Sequence, residues 1–115
     1  KCDDTLAAAY EQTLLTLKQC PAVDGIYAWD DVMAMGAIKA AIELGYKIPE
    51  EIGIIGYDDI ELAKFYNPAL TTVRQNMQHI GRTAAEILIN KINTGVLFAD
   101  QRIIFKPELV IRGTA

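Results

Sequence analysis

The sequence predicts an α/β fold in which an open parallel sheet carries helices on both faces. Apolar residues recur at helical spacing in three long segments, and short apolar runs of the kind that form strands lie between them. One of these runs, from Ile52 to Tyr57, shows no alternation of apolar and polar residues. A strand that is apolar on both sides is typical of the interior of a parallel sheet, whose two faces are covered by helices.

The individual elements follow from the apolar spacing and from the residues that stop helices. In order they are helix 5–19, strand 23–28, helix 32–44, strand 52–57, helix 60–66, an extended segment 70–73, helix 77–93, and strands 102–106 and 109–112. Pro21 follows the first helix, Gly45 the second and Pro68 the short third one. Gly95 ends the long fourth helix, and Pro107 separates the last two strands.

The composition describes a globular chain that matches DNA and anionic membranes poorly. The 115 residues are 51% hydrophobic and 23% charged, with a formal net charge of −4. The 11 basic residues are scattered, whereas phosphate binding needs clustered Lys and Arg. No run approaches the roughly 18 apolar residues of a membrane helix, and no secretion signal is recognisable. With two cysteines that lack metal-ligand spacing, we expect a cytoplasmic protein without a membrane partner.

Each of the two predicted core strands ends in an aromatic residue followed by two aspartates. The motifs are Trp29-Asp30-Asp31 and Tyr57-Asp58-Asp59. In open α/β sheets, ligands bind beyond the carboxyl ends of the strands. Carboxylates accept hydrogen bonds from vicinal hydroxyls or from a ligand N–H, and aromatic rings suit the apolar face of a sugar or the plane of a base. We therefore expect these strand ends to line one wall of a small-molecule pocket.

The four aspartates divide into two pairs on this interpretation. An Asp directly before a helix is most often an N-cap, and Asp31 and Asp59 occupy such positions. Asp30 and Asp58 have no such duty, which leaves them as the expected ligand contacts. Trp29 is either a ligand contact or a core or interface residue.

The sequence predicts neither a catalytic centre nor a metal site. Carboxylates could hold Mg²⁺ or Ca²⁺, but the spacing of a calcium loop is missing. No nucleophile elbow, glycine-rich phosphate loop or Cys/His pair is present, and the single histidine, His79, suits an ordinary structural or solvated role. We expect a protein that is not an enzyme and that has no cofactor.

Several segments, in the same order and spacing, resemble the lactose-repressor (LacI/GalR) family. Residues 28–37, Ala-Trp-Asp-Asp-Val-Met-Ala-Met-Gly-Ala, resemble its Ala-Asn-Asp-x-Met-Ala-Leu-Gly-Ala segment. Residues 48–60 contain Ile-Gly-Tyr-Asp-Asp-Ile, similar to its Val-Gly-Phe-Asp-Asp-Ile. Residues 67–75 resemble its Pro-Pro-Leu-Thr-Thr-Val-x-Gln, while 80–85 and 109–112 resemble its Met-Gly-x-x-Ala helix and its closing Leu-Val-x-Arg.

The resemblance implies a type I periplasmic-binding-protein-like fold, in which two α/β subdomains clasp a sugar, nucleoside or purine effector. Residues 1–115 would be a C-terminal fragment of that domain, with no DNA-binding domain present. Residues 1–74 and 108–115 would belong mostly to the C-terminal subdomain, and 76–106 to the N-terminal one. DNA would be bound only through the absent helix-turn-helix.

Several functional residues follow from the resemblance by position. Asp58 matches an effector-binding Asp, Asp30 stands where the family usually has an effector-contacting Asn, and Gln75 matches a Gln near the pocket. Trp29 replaces a small residue beside them. The resemblance also implies a dimer interface, with a homodimer or a swapped dimer expected, at positions that correspond here to Met35, Ile38, Phe65 and Tyr66.

These substitutions bear on the ligand and on the function. Asp30 in place of Asn removes a donor and adds a negative charge, which disfavours a carboxylated sugar and favours a polyol, an amine-bearing ligand or a nucleoside. The leading expectation is effector sensing in a transcription regulator, most simply a repressor. The alternative is a solute-binding protein of a sugar transporter, although such proteins commonly have Gly-Phe-Asp-Gly where this chain has Gly-Tyr-Asp-Asp.

Overall fold

The computed structural model describes residues 3–95 and 102–115. The elements are α1 (Leu6–Gln19), β1 (Gly25–Tyr27), α2 (Asp31–Glu43), β2 (Gly53–Tyr57), α3 (Glu61–Phe65), β3 (Thr71–Arg74), α4 (Met77–Thr94) and β4 (Glu108–Val110). The predicted helices and most predicted strands are confirmed to within about two residues at each end. Residues 102–106, predicted to form a strand, adopt no regular element.

The four strands form one open sheet in the order β1-β2-β3-β4. β1 and β2 run parallel with Tyr27 opposite Ile55, and β2 and β3 run parallel with Tyr57 opposite Val73. β4 runs antiparallel to β3. The α/β fold with an open sheet is therefore confirmed, and the last strand departs from the all-parallel expectation, as edge strands of such sheets often do.

The chain divides into two compact units. Unit 1 contains residues 1–74 and 108–115, and unit 2 contains residues 75–107. All four strands and α1 to α3 lie in unit 1. Unit 2 contains α4, whose first turn is capped by Asn76 and whose end is marked by Gly95 in the left-handed conformation, with φ 67°. No residue of α4 is buried.

The core of unit 1 forms where α2 meets β2 and α1. Small residues on α2 allow α1 to approach closely, because a side chain on Gly36 would overlap the Leu6 carbonyl. Met35 and Ile38 also lie in this core, with 1% and 0% of their surface exposed. The expectation that these two residues face a partner subunit is therefore wrong, because packing inside unit 1 already covers their side chains.

The last residues of the chain connect β2 and β3 on the amino side of their paired region. Thr114 is fully buried, and its hydroxyl donates to the Ile54 carbonyl at 2.6 Å and accepts from the Thr71 N–H at 2.9 Å. The Ile54 N–H in turn donates to the Thr114 carbonyl at 2.7 Å. The two strands are thus held together at this end by the chain terminus, which leaves their carboxyl ends as the place for a ligand.

Candidate functional site

The loop that follows β2, residues 58–60, stands at the carboxyl edge of the sheet between β2 and β3. Asp58 and Asp59 both have positive φ, 100° and 52°, a region that few residues other than Gly, Asn and Asp adopt. The Asp58 N–H donates to the Val73 carbonyl at 2.9 Å, which fixes the start of the loop against β3. Backbone conformations of this kind persist only where surrounding contacts hold them. The half-buried Asp58 is therefore placed by its neighbours rather than by its own preference.

Asp31 supplies the first of these contacts from below the loop. Its side chain is fully buried, and its Oδ2 accepts a hydrogen bond from the Ile60 N–H at 2.8 Å. Its Oδ1 accepts from the Thr72 hydroxyl at 2.5 Å. One carboxylate thus joins the start of α2, the 58–60 loop and β3.

These contacts reverse the predicted roles of the first two aspartates. Asp30, not Asp31, is the N-cap of α2, and its Oδ1 accepts from the Met33 N–H at 2.6 Å. Asp31 is the first residue inside the helix. The sequence rule for caps placed the helix start one residue too late, and the buried brace made by Asp31 depends on β3, which that rule does not consider.

Gly56 makes room for the Asp31 carboxylate. A Cβ atom added at this position would overlap Asp31 Oδ1 and would lie 3.1 Å from Leu70 Cδ2. Burial raises the pKa of Asp31, and the hydrogen bonds from Thr72 and Ile60 offset part of that rise. The absence of a side chain in the middle of β2 is therefore a requirement of the site.

Asp59 anchors the other side of the loop through two arginines. Its Oδ2 lies 2.6 Å from Arg74 Nε and its Oδ1 lies 2.5 Å from Arg112 Nη2, and only 6% of its side chain is exposed. Burial alone would raise the pKa of Asp59, but the hydrogen bonds and charges of the two arginines outweigh it and lower the pKa. The prediction that Asp59 caps a helix is wrong, because Ile60 precedes α3 and no side chain caps that helix.

Arg112 was quoted only within a resembling segment, and Arg74, Thr72 and Thr71 were not predicted to belong to the site. Arg112 Nη1 also donates to the Leu70 carbonyl at 2.8 Å, and its N–H donates to Thr71 Oγ1 at 2.8 Å. A signal was present in the sequence: an Asp after a buried strand needs a cation, and Arg74 and Arg112 are the basic residues that end two extended segments.

The remaining predicted ligand contacts follow neighbouring strands. Trp29 is 77% exposed just beyond β1, and Asp30 beside it is half-buried. Because β1 and β2 run parallel and side by side, both residues share the carboxyl edge of the sheet with Asp58. Gln75 directly follows β3 and is the first residue of unit 2.

A small cavity of about 170 Å³ opens beside Trp29, between α1, the end of β1 and α2. Its walls include Tyr27, Thr13 and Met33. Pockets for drug-sized ligands usually hold roughly 300–1,000 Å³. This wall alone therefore does not enclose a ligand of that size.

Two other kinds of site are not found among residues 3–95 and 102–115. No group of three His, Cys, Asp or Glu side chains is arranged to hold a metal ion there. Over the same residues, no helix combines the length and the apolar character needed to cross a membrane.

Comparison with known proteins gives a consistent family. The model of the periplasmic binding protein-like domain matches residues 2–115. A transcriptional repressor, PurR, of Haemophilus influenzae (strain PittEE) is 44% identical over 101 residues, which is 86% of this chain and 30% of the repressor. A transcriptional regulator, MalR, of Clostridium butyricum is 39% identical over 104 residues, covering 90% of this chain and 30% of the regulator.

A solved structure gives the same assignment at the level of the fold. A LacI family transcriptional regulator from Arthrobacter sp. FB24, in complex with lactose, superimposes with a TM-score of 0.90 and 34% identity. The match covers 98% of this chain and 42% of that regulator, and the chain spans about 30% of the length of the two curated relatives. These relatives are regulators, so the transporter alternative is not favoured. The chain belongs to the periplasmic-binding-protein-like domain family, and within it to the effector-binding domains of the LacI/GalR family.

Proposed function

We propose that this chain is part of the effector sensor of a LacI-type transcriptional regulator, acting as a repressor. The sensor binds a small sugar, nucleoside or similar ligand and couples its binding to a DNA-binding helix-turn-helix elsewhere in the protein. In this proposal the protein works in the cytoplasm, and it senses its ligand without transforming it. Effector binding acts by shifting the equilibrium between two arrangements of the sensor.

The observation that carries the proposal is the fixed 58–60 loop at the carboxyl edge of the sheet. Asp31 and Asp59 hold this loop from two sides, and the Val73 carbonyl binds its first N–H. Holding a binding group in place before the ligand arrives lowers the ordering cost of binding. A structure built to fix Asp58 in an uncommon backbone conformation suits a carboxylate that receives a ligand.

The charges along this edge indicate the chemistry of the ligand. Asp58 and Asp30 both offer carboxylate oxygens, and Trp29 offers an exposed ring next to Asp30. One oxygen of Asp30 is used by the helix cap, so Asp58 is the primary contact and Asp30 the secondary one. Hydroxyl or amine donors on a flat or partly apolar ring match this wall, whereas a ligand carboxylate would be repelled.

The opposite wall comes from the second subdomain in this proposal. Unit 2, with Gln75 at its start, forms part of that subdomain, while residues 1–74 and 108–115 form part of the first. The exposed apolar side chains of α4 would then pack within the second subdomain, at Met77, Ile87, Leu88, Ile89 and Ile92. DNA is contacted only by the helix-turn-helix outside this chain.

The dimer surface is proposed at α3, in corrected form. Phe65 is 75% exposed and Leu62, one helical turn before it, is 53% exposed. Tyr66 is half-buried, and its hydroxyl donates to the Met35 carbonyl at 3.3 Å, which ties the end of α3 to α2. An exposed apolar pair on a short helix that is anchored in this way suits contact with a second copy.

Calorimetric titration of the full-length protein tests the function. The probes are lactose, ribose and adenosine as neutral ligands, with glucuronate as the acidic one. Binding of a neutral probe, together with a change in affinity for DNA fragments that the protein itself selects from a random pool, is expected. Tight binding of glucuronate would overturn the ligand assignment, and selected DNA whose affinity never responds to any bound probe would overturn the sensor assignment.

A further inference from the structure

The second aspartate of the 58–60 loop is connected to the place where the chain leaves unit 1. Arg74 is the last residue of β3 and the last residue of unit 1 before the chain passes into unit 2. Its Nε lies 2.6 Å from Asp59 Oδ2. The residue next to Asp58 is therefore in direct contact with one of the two positions at which the chain crosses between the units.

The other crossing position contacts the same guanidinium. The chain returns to unit 1 at Glu108, which pairs directly with Arg74 across β3 and β4. Glu108 Oε2 lies 3.4 Å from Arg74 Nη1. Separate nitrogens of one side chain thus reach two carboxylates, one in the 58–60 loop and one on the returning strand.

We propose that Arg74 is a positioning residue that couples the 58–60 loop to both crossing positions. This inference rests on the proposed function, in which Asp58 receives the effector. A shift of the loop on ligand binding changes the Asp59–Arg74 contact and, through the same planar group, the contact with Glu108. Lysine could not replace Arg74 here, because a single ammonium group lacks the fixed fork of donors that reaches both carboxylates at once.

The second arginine on Asp59 keeps this proposal separable from simple folding. Arg112 binds the other oxygen of Asp59 and is also bonded to the Leu70 carbonyl, and only 13% of its side chain is exposed. Arg74 and Glu108 are more accessible, with 42% and 69% of their side chains exposed. Changes at Arg74 or Glu108 therefore leave the Asp59–Arg112 pair and the fold in place.

A double-mutant cycle on the full-length protein tests the coupling without any effector. The readout is the hydrogen-exchange rate of the Asp58 amide, which is protected by its bond to the Val73 carbonyl. Glu108→Gln is expected to speed this exchange between about 1.5-fold and fivefold, the range for a partly exposed ion pair. The same change is expected to have no effect when Arg74 is Gln or Lys.

The control is Glu50→Gln, a matched change at an exposed glutamate in the turn before β2, which should leave the exchange rate unchanged in every background. An equal effect of Glu108→Gln with and without Arg74, or no effect in either background, would overturn the proposal. Because no ligand is used, a failed effector titration and a failed cycle are separate results.

Discussion

At the scale of single residues, Gly56 and Asp31 compete for the same space beneath the 58–60 loop. Gly56→Ala places a methyl group against Asp31 Oδ1, and we expect it to lower the free energy of unfolding by about 1–3 kcal/mol, as overpacking does. Urea unfolding measures this loss. Gly25→Ala on the neighbouring strand is the control, because its Cβ would have no neighbour closer than 4.0 Å. Equal tolerance of both changes would contradict the packing described here.

The pKa of Asp59 makes stability depend on pH in a defined direction. Since its arginine partners lower the pKa below the ordinary value of 3.8, the ionised group stabilises the fold above that value. This contribution is lost as the pH falls through the lowered pKa. The stability difference between the wild type and Asp59→Asn should therefore be constant from about pH 5 to 7 and shrink below about pH 4. Urea midpoints across this range check it, and a difference that grows on acidification would contradict it.

At the scale of elements, the start of α2 separates a cap from a buried brace. Asp30→Ala removes the bond to the Met33 N–H and is expected to cost about 0.5–2 kcal/mol, as for other N-caps. Asp31→Ala leaves the Ile60 N–H and the Thr72 hydroxyl without their acceptor and is expected to cost more, about 2 kcal/mol or above. Thermal unfolding of the two variants gives the order. A larger loss from Asp30→Ala would restore the sequence-based assignment.

The elements themselves were largely predictable, and the contacts among the aspartates were not. Helix spacing and the stops at Gly45 and Gly95 place α2 and α4 correctly, because those signals are local. The roles of Asp31 and Asp59 depend on partners far along the chain, Thr72 and Arg112. A local rule for caps has no access to such partners, so it exchanged Asp30 with Asp31 and missed the arginines.

The exposed or buried state of α2 shows a similar limit. Met35 and Ile38 lie on an apolar face that a surface helix could offer to another subunit, and only the tertiary contacts with α1 and β2 show that this face is already covered. The carboxyl-edge position of Asp58, by contrast, was predictable, because parallel strand ends meet at one edge in every open α/β sheet.

At the scale of the whole molecule, the proposed dimer surface at α3 predicts a change in assembly. Phe65→Ser should weaken self-association of the full-length protein by roughly tenfold or more, because truncating an exposed aromatic anchor typically removes a large part of an interface energy. Sedimentation equilibrium gives the dissociation constant. Leu15→Ser on α1, where the leucine is 55% exposed, is the control and should leave assembly unchanged. Equal assembly of Phe65→Ser and the wild type would place the interface elsewhere.

The account centres on Asp58 as the carboxylate that receives the effector, and a calorimetric comparison of two matched variants of the full-length protein tests this most directly. Asp58→Asn removes a charge-assisted acceptor at the carboxyl edge, and we expect affinity for the neutral ligand to fall roughly tenfold or more. Asp24→Asn changes an exposed aspartate just before β1, at the opposite end of the strands, and should bind within about twofold of the wild type. Wild-type affinity in Asp58→Asn, or an equal loss in both variants, would contradict the account.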